Sequence, residues 1–203
     1  MTLADTEFEV LHAVALRKRT DLDGLVRSTG LPREAIEAAL ERAAEAKLVL
    51  AARGSYFVAP EGDRALRAVY ADRFATARAD GGLAADYARF EAVNREVKAI
   101  VTDWQVRPVG GQKLPNDHSD PAYDDGVLDR LAQAHERAEQ LLAGLARRVP
   151  RLGRYAERLT TALHRAEAGE GDWVCGVRCD SYHTVWFELH EDLLRMLDRQ
   201  REE

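Results

Sequence analysis

The residues best suited to chemistry crowd into one late stretch, Asp180-Ser181-Tyr182-His183-Thr184-Val185-Trp186-Phe187-Glu188-Leu189-His190-Glu191-Asp192. His183 and His190 are seven apart, so on a helix they share a face two turns from one another, with Trp186 and Phe187 between them. Aromatic rings with a few aimed polar groups are the composition of a small-molecule pocket. Tyr182, His183, Trp186 and His190 are therefore read as ligand contacts, with Trp104, Arg107, Asn116, Asp117 and His118 joining from the preceding segment. Asp103 and His135 are further candidates. Arg107, Arg95 or Lys98 would pair with a carboxylate or phosphate, so the expected effector is anionic. The competing reading makes the histidines hydrogen-bonded core residues and has Asp117 and Asp120 cap a helix.

A metal centre is a sharper version of the pocket, since imidazole and carboxylate ligands suit zinc or iron. Residues seven apart on one helix lie ~10 Å apart along its axis, so only one of His183 and His190 could bind a given ion. Cys175, Cys179 and His183 recur at spacings of four, but two thiols make a thin ligand set. No metal or cofactor is expected. Enzyme signatures are also missing. Gly110-Gly111-Gln112-Lys113 has neither the spacing nor the preceding strand of a phosphate loop, and no serine sits in a nucleophile elbow. Asp117-His118-Ser119 are adjacent in sequence, which forbids triad geometry. The chain is not expected to be an enzyme.

These side chains need elements to carry them. Phe8, Leu11 and Ala15 recur at helical spacing, with Arg17-Lys18-Arg19 at the C-terminal end, where cations suit the helix dipole. Thr20 and the acids Asp21 and Asp23 open a second helix that stops at Gly30. Pro32 starts a third, whose apolar face is Ile36, Ala39, Leu40 and Ala43. The period then changes: residues 48–52 and 56–59 read as strands around the turn Arg53-Gly54-Ser55. Pro60-Glu61-Gly62 stops the hairpin and leads to a helix over 63–76. Beyond Ala79-Asp80-Gly81-Gly82 only helices are expected. One carries Phe90, Val93, Val97, Ile100 and Trp104; one spans 122–148; one is marked by Leu152, Tyr155, Leu159 and Leu163; the last covers 181–199. Residues 107–121 read as a Pro/Gly-rich loop and 169–176 as a break. The fold class is thus mostly α: a winged helix over 1–78, then a helical bundle over 79–203 that dimerises and binds the ligand.

Composition fits this class. The 203 residues suffice for two small cores, and 46% hydrophobic with 32% charged is ordinary for a globular chain. No apolar run reaches the ~20 residues of a membrane span. The N-terminus has no basic segment followed by an apolar one, and the two cysteines suit a reducing compartment, so a cytoplasmic location is expected. The net charge of -6 works against bulk attraction to nucleic acid.

Residues 21–32, DLDGLVRSTGLP, followed by Ala38-Ala39-Leu40, Lys47-Leu48-Val49 and Pro60-Glu61-Gly62, resemble the winged helix-turn-helix of MarR-type bacterial regulators. The resemblance implies that the third helix enters the major groove of double-stranded DNA and the wing touches the backbone or minor groove. By position, Arg27, Ser28, Arg33, Glu34 and Glu37 would lie at the DNA, with Arg53 and Ser55 on the wing. A homodimer is expected as well, because one winged helix buries too little interface for useful specificity and two half-sites restore it. The departure is an acidic stripe, Glu34, Glu37, Glu41 and Glu45, along the third helix. Phosphates repel it, and only a few of these carboxylates can be useful, by accepting from cytosine N4. Three stretches within 85–198 are similar to a helical module of uncharacterised actinobacterial proteins. Some of these are joined to parts like phosphoenolpyruvate-utilising dikinases, whose catalytic motifs are absent here. The expected function is a ligand-responsive DNA-binding regulator. The alternative is an accessory protein that contacts protein and docks or regulates an enzyme.

Overall fold

The computed structural model of the chain describes residues 3–199. They fall into two compact units, 3–80 with 190–199, and 81–189.

The first unit opens with α1 (Asp5–Arg17), α2 (Leu22–Thr29) and α3 (Arg33–Glu45). Gly30 ends α2 as expected, in the left-handed region with its N–H donating to the Val26 carbonyl, but the cap lies one residue later than Thr20: the Asp21 carboxylate accepts from Gly24 N–H at 2.7 Å. The antiparallel strands β1 (Val49–Ala52) and β2 (Ser55–Val58) pair Val49 with Val58 and Ala52 with Ser55. Arg53 and Gly54, at φ 51° and 73°, form the two-residue turn between them, the conformation whose twist matches a hairpin. Thr20 pairs with Tyr56 on the other edge of β2, adding a single bridge from the α1–α2 connection. Three helices, a hairpin and this bridge are the arrangement of a winged helix.

After the wing come α4 (Pro60–Arg73) and α5 (Ala75–Ala79), where a single helix over 63–76 was expected. Pro60 occupies the first turn of α4. Gly62 is required there, because a Cβ would lie 2.2 Å from the Leu48 carbonyl oxygen. The core is built from Phe8, Leu11, Val14, Leu25, Ile36, Leu40 and Leu66, all buried. Residues 190–199, the second half of the last helix α10 (Tyr182–Leu197), complete this unit.

The second unit holds α6 (Gly82–Gln105), α7 (Pro121–Arg148), α8 (Gly153–Glu167, entered through a 3₁₀ turn at Pro150–Leu152), the single turn α9 (Asp172–Cys175) and the first half of α10. α7 packs against α6 on one side and α8 on the other, and α10 brings Tyr182, Val185, Trp186 and Leu189 into the interior. Ser181 caps α10, accepting from Thr184 N–H at 3.3 Å. The Pro/Gly-rich loop expected over 107–121 is corrected in part. Residues β3 (Val106–Val109) and β4 (Gln112–Pro115) form a second antiparallel hairpin, turned at Gly110-Gly111 with both φ positive. Its flanking prolines and exposed β4 give it no apolar alternation, which is why the pattern read as loop. Among the described residues no helix is long and apolar enough to cross a membrane.

Candidate functional site

On the winged helix, α3 turns Ile36, Ala39, Leu40 and Ala43 inward and leaves Glu34, Glu37, Glu41 and Glu45 exposed. Its two cations are already engaged: Arg33 binds Asp23, and Arg42 donates to Glu7 at 2.5 Å. The Arg33 contact holds the Asp23 carboxyl below its ordinary range. The exposed face of α3 is therefore acidic without compensation from its own arginines. The wing edge is the opposite. Lys18, Arg19 and Arg53 are exposed, and Arg19 Nε donates to Ser55 Oγ at 3.2 Å, so Ser55 is a buried anchor of this edge. Arg27 is exposed and Ser28 half-buried on α2, the Ser28 hydroxyl donating back to the Gly24 carbonyl at 2.8 Å.

The aromatic group expected to line a pocket is the packed interior of the second unit. Trp186 stacks on Phe90 with centroids 4.9 Å apart, and its indole N–H donates to Asn94 Oδ1 at 2.9 Å. Tyr182 is fully buried and stacks against Trp186. His135 bridges Tyr182 OH (3.3 Å) and Thr160 Oγ1 (3.2 Å). Burial lowers the His135 imidazole from its ordinary 6.5. A depressed histidine adds stability above the unfolded value and loses it as pH falls. His135→Gln should therefore flatten the acid side of the stability curve. The loss of urea midpoint between pH 7 and pH 5 should be smaller in the variant, and an equal loss in both proteins would refute this role. His183 is half-buried at the start of α10. His190 belongs to the first unit and is buried there.

Sequence reasoning missed another histidine of the first unit. His12, buried on α1, meets Tyr70 OH through Nδ1 and Asp192 Oδ2 through Nε2 at 3.3 Å. Asp192 is wholly buried, and the pair ties α10 to α1. The available signal was a lone histidine on a helix whose neighbours Phe8, Leu11 and Val14 are all apolar.

A cavity does exist in the second unit, about 700 Å³ in volume, and it gathers three of the other expected residues. Trp104, Asn116 and His118 line it, with Asp124, Asp125, Asp172 and Cys175. Asn116 builds its floor: Nδ2 donates to the Trp104 carbonyl (3.1 Å) and to Asp124 Oδ1 (2.8 Å), and Oδ1 accepts from His118 N–H (3.2 Å). His118, held at φ 57°, sets Nδ1 2.9 Å from Asp124 Oδ2 and lays its ring on Trp104 at 4.6 Å. Tyr182, His183 and Trp186 are not part of this wall. Neither is Arg107, which is spent on Asp117 (3.2 Å) and Asp120 (3.7 Å). Ser119 and Arg107 keep the Asp117 carboxyl low, and Asp120 caps α7 through Tyr123 N–H at 3.2 Å. The wall carries no lysine or arginine. Burial raises the Cys175 thiol, so it is protonated rather than poised as a nucleophile. The described residues contain no cluster of three or more metal-ligating side chains.

Comparison of the chain with protein-family models, characterised proteins and solved structures finds no match in any of the three.

Proposed function

We propose that this chain is a DNA-binding regulator whose winged helix touches the duplex through its basic wing edge, and whose helical unit takes an effector in the Trp104–His118 cavity. The observation that supports it is the wing itself. Lys18 and Arg19, just before the Thr20 bridge to β2, and Arg53 in the hairpin turn are all exposed. Cations so placed meet phosphates, which supply most non-specific affinity. A homodimer would double the contacts and fix the spacing of two half-sites.

The test is fluorescence anisotropy with a labelled duplex taken from upstream of the protein's own coding sequence. Wild type should bind with a salt-dependent affinity. The double variant Arg19→Gln/Arg53→Gln should bind at least tenfold more weakly, with the salt slope reduced by about 2. Absence of any binding at low salt would overturn the reading. The exposed Glu34, Glu37, Glu41 and Glu45 favour a second one in that event: α3 docks a basic protein surface, and the chain is an accessory of that partner.

A further inference from the structure

We infer that the effector of the Trp104–His118 cavity is a small polar molecule carrying a protonated amine beside a hydrogen-bond acceptor, of the amino-alcohol or amino-sugar class. The inference rests on reading that cavity as the effector site and names the chemistry it would select.

Three observations converge. The volume, about 700 Å³, is that of a site for a small organic ligand rather than a bare ion. The lining is one-signed: Asp124, Asp125 and Asp172 stand against no lysine or arginine. His118 is the one group there able to become cationic, and its Nδ1 faces the Asp124 carboxylate. A concave surface with low-dielectric walls concentrates cations and rejects carboxylates and phosphates.

The third observation is independent of charge. Trp104 is only 6% exposed, yet its indole N–H has no hydrogen-bond partner among the described residues. The N–H is donor-only and is not one of the buried side-chain atoms left without a partner, so it reaches open space, where a ligand acceptor would take the place of water. Gly171 locates it. A Cβ on Gly171 would lie 3.2 Å from Trp104 Cζ2, a carbon on the nitrogen side of the benzo ring, and Gly171 lines the same cavity. That edge of the indole thus runs along the cavity wall. Glycines at 169, 171 and 176 keep the opposing backbone bare; a side chain at 171 would press on Trp104, and one at 176 would collide with the Asp172 carbonyl. A ligand with an ammonium toward Asp125 and Asp172 and a hydroxyl or ring oxygen toward the indole N–H satisfies both halves.

The test uses the full chain without DNA, so its outcome is separate from that of the regulator reading. All three tryptophans, Trp104, Trp173 and Trp186, lie within 81–189, so tryptophan fluorescence reports this unit. Titrations at constant ionic strength would compare glucosamine, N-acetylglucosamine and succinate, with calorimetry as the second readout. Glucosamine should give a saturable change. N-acetylglucosamine, which keeps the ring but loses the charge, should bind at least tenfold more weakly, and succinate should not bind. Asp125→Asn/Asp172→Asn changes two exposed side chains and should weaken glucosamine at least fivefold. Trp104→Phe, which keeps a ring but removes the N–H, should weaken it with the melting temperature as a check on folding. Equal binding of the N-acetyl sugar, binding of succinate, or no saturable signal with glucosamine at millimolar concentration would each overturn the assignment.

Discussion

Arg158→Met should lower the stability of the helical unit by about 3–5 kcal/mol, the cost of stripping the cation from buried carboxylates. Arg158 on α8 contacts Asp180 Oδ2 at 3.0 Å and Glu188 Oε2 at 2.8 Å, and all three side chains are nearly excluded from solvent. One guanidinium thus serves two buried acids, one preceding α10 and one on it. The measurement is a urea titration followed by tryptophan fluorescence. The triple variant Arg158→Met/Asp180→Asn/Glu188→Gln separates charge from packing. It should recover most of the loss, because removing a whole buried ion cluster is far cheaper than removing one sign of it. A single variant within 1 kcal/mol of wild type, or a triple variant no better than the single, would show that the cluster does not hold α10 in place.

The second large effect concerns α3. Replacing Glu34, Glu37, Glu41 and Glu45 by glutamine should tighten binding to non-specific duplex by about tenfold. A unit charge about 7 Å from a phosphate costs about 0.6 kcal/mol in water, so four such charges cost about 2.4 kcal/mol before salt screening reduces them. The four side chains are exposed and point away from the core, so the fold should be unaffected. Anisotropy against a scrambled duplex gives the answer. An unchanged affinity would mean that α3 does not approach the duplex at all, and would shift weight to the protein-docking alternative.

The winged helix was legible because each of its turns is written in local chemistry. Asp21 capping α2, Gly30 ending it, Pro32 before α3 and Arg53-Gly54 in the hairpin all act within a few residues of themselves. The helices of the second unit were legible from period alone. What failed to show was long-range. Tyr182 and Trp186 have the spacing of pocket residues and equally of core residues, and only the arrival of Phe90 and Asn94, some ninety positions earlier, decides between them. Asn116 and His118 were picked out by type, but Arg107 was given a ligand that its neighbours Asp117 and Asp120 already replace. The arginine that suggested an anion stands outside the cavity, whose own lining carries Asp124, Asp125 and Asp172. The pairing of His12 with Asp192 spans most of the chain, beyond the reach of any local pattern.

That pairing also bears on how the protein can be dissected. The glycine pair at 81–82 looks like a natural place to cut, yet a fragment ending there would lose residues 190–199. It would keep the whole helix-turn-helix and wing while stranding His12 without its carboxylate and uncovering the apolar surface that Leu193, Leu194 and Met196 occupy. An excised reader head would be sticky and poorly behaved, and grafting that terminal peptide onto it through a short flexible tether should restore solubility. Residues 3–80 and 190–199 are in this sense one module, so a truncation just before residue 190 should damage a domain whose other residues all lie more than a hundred positions upstream.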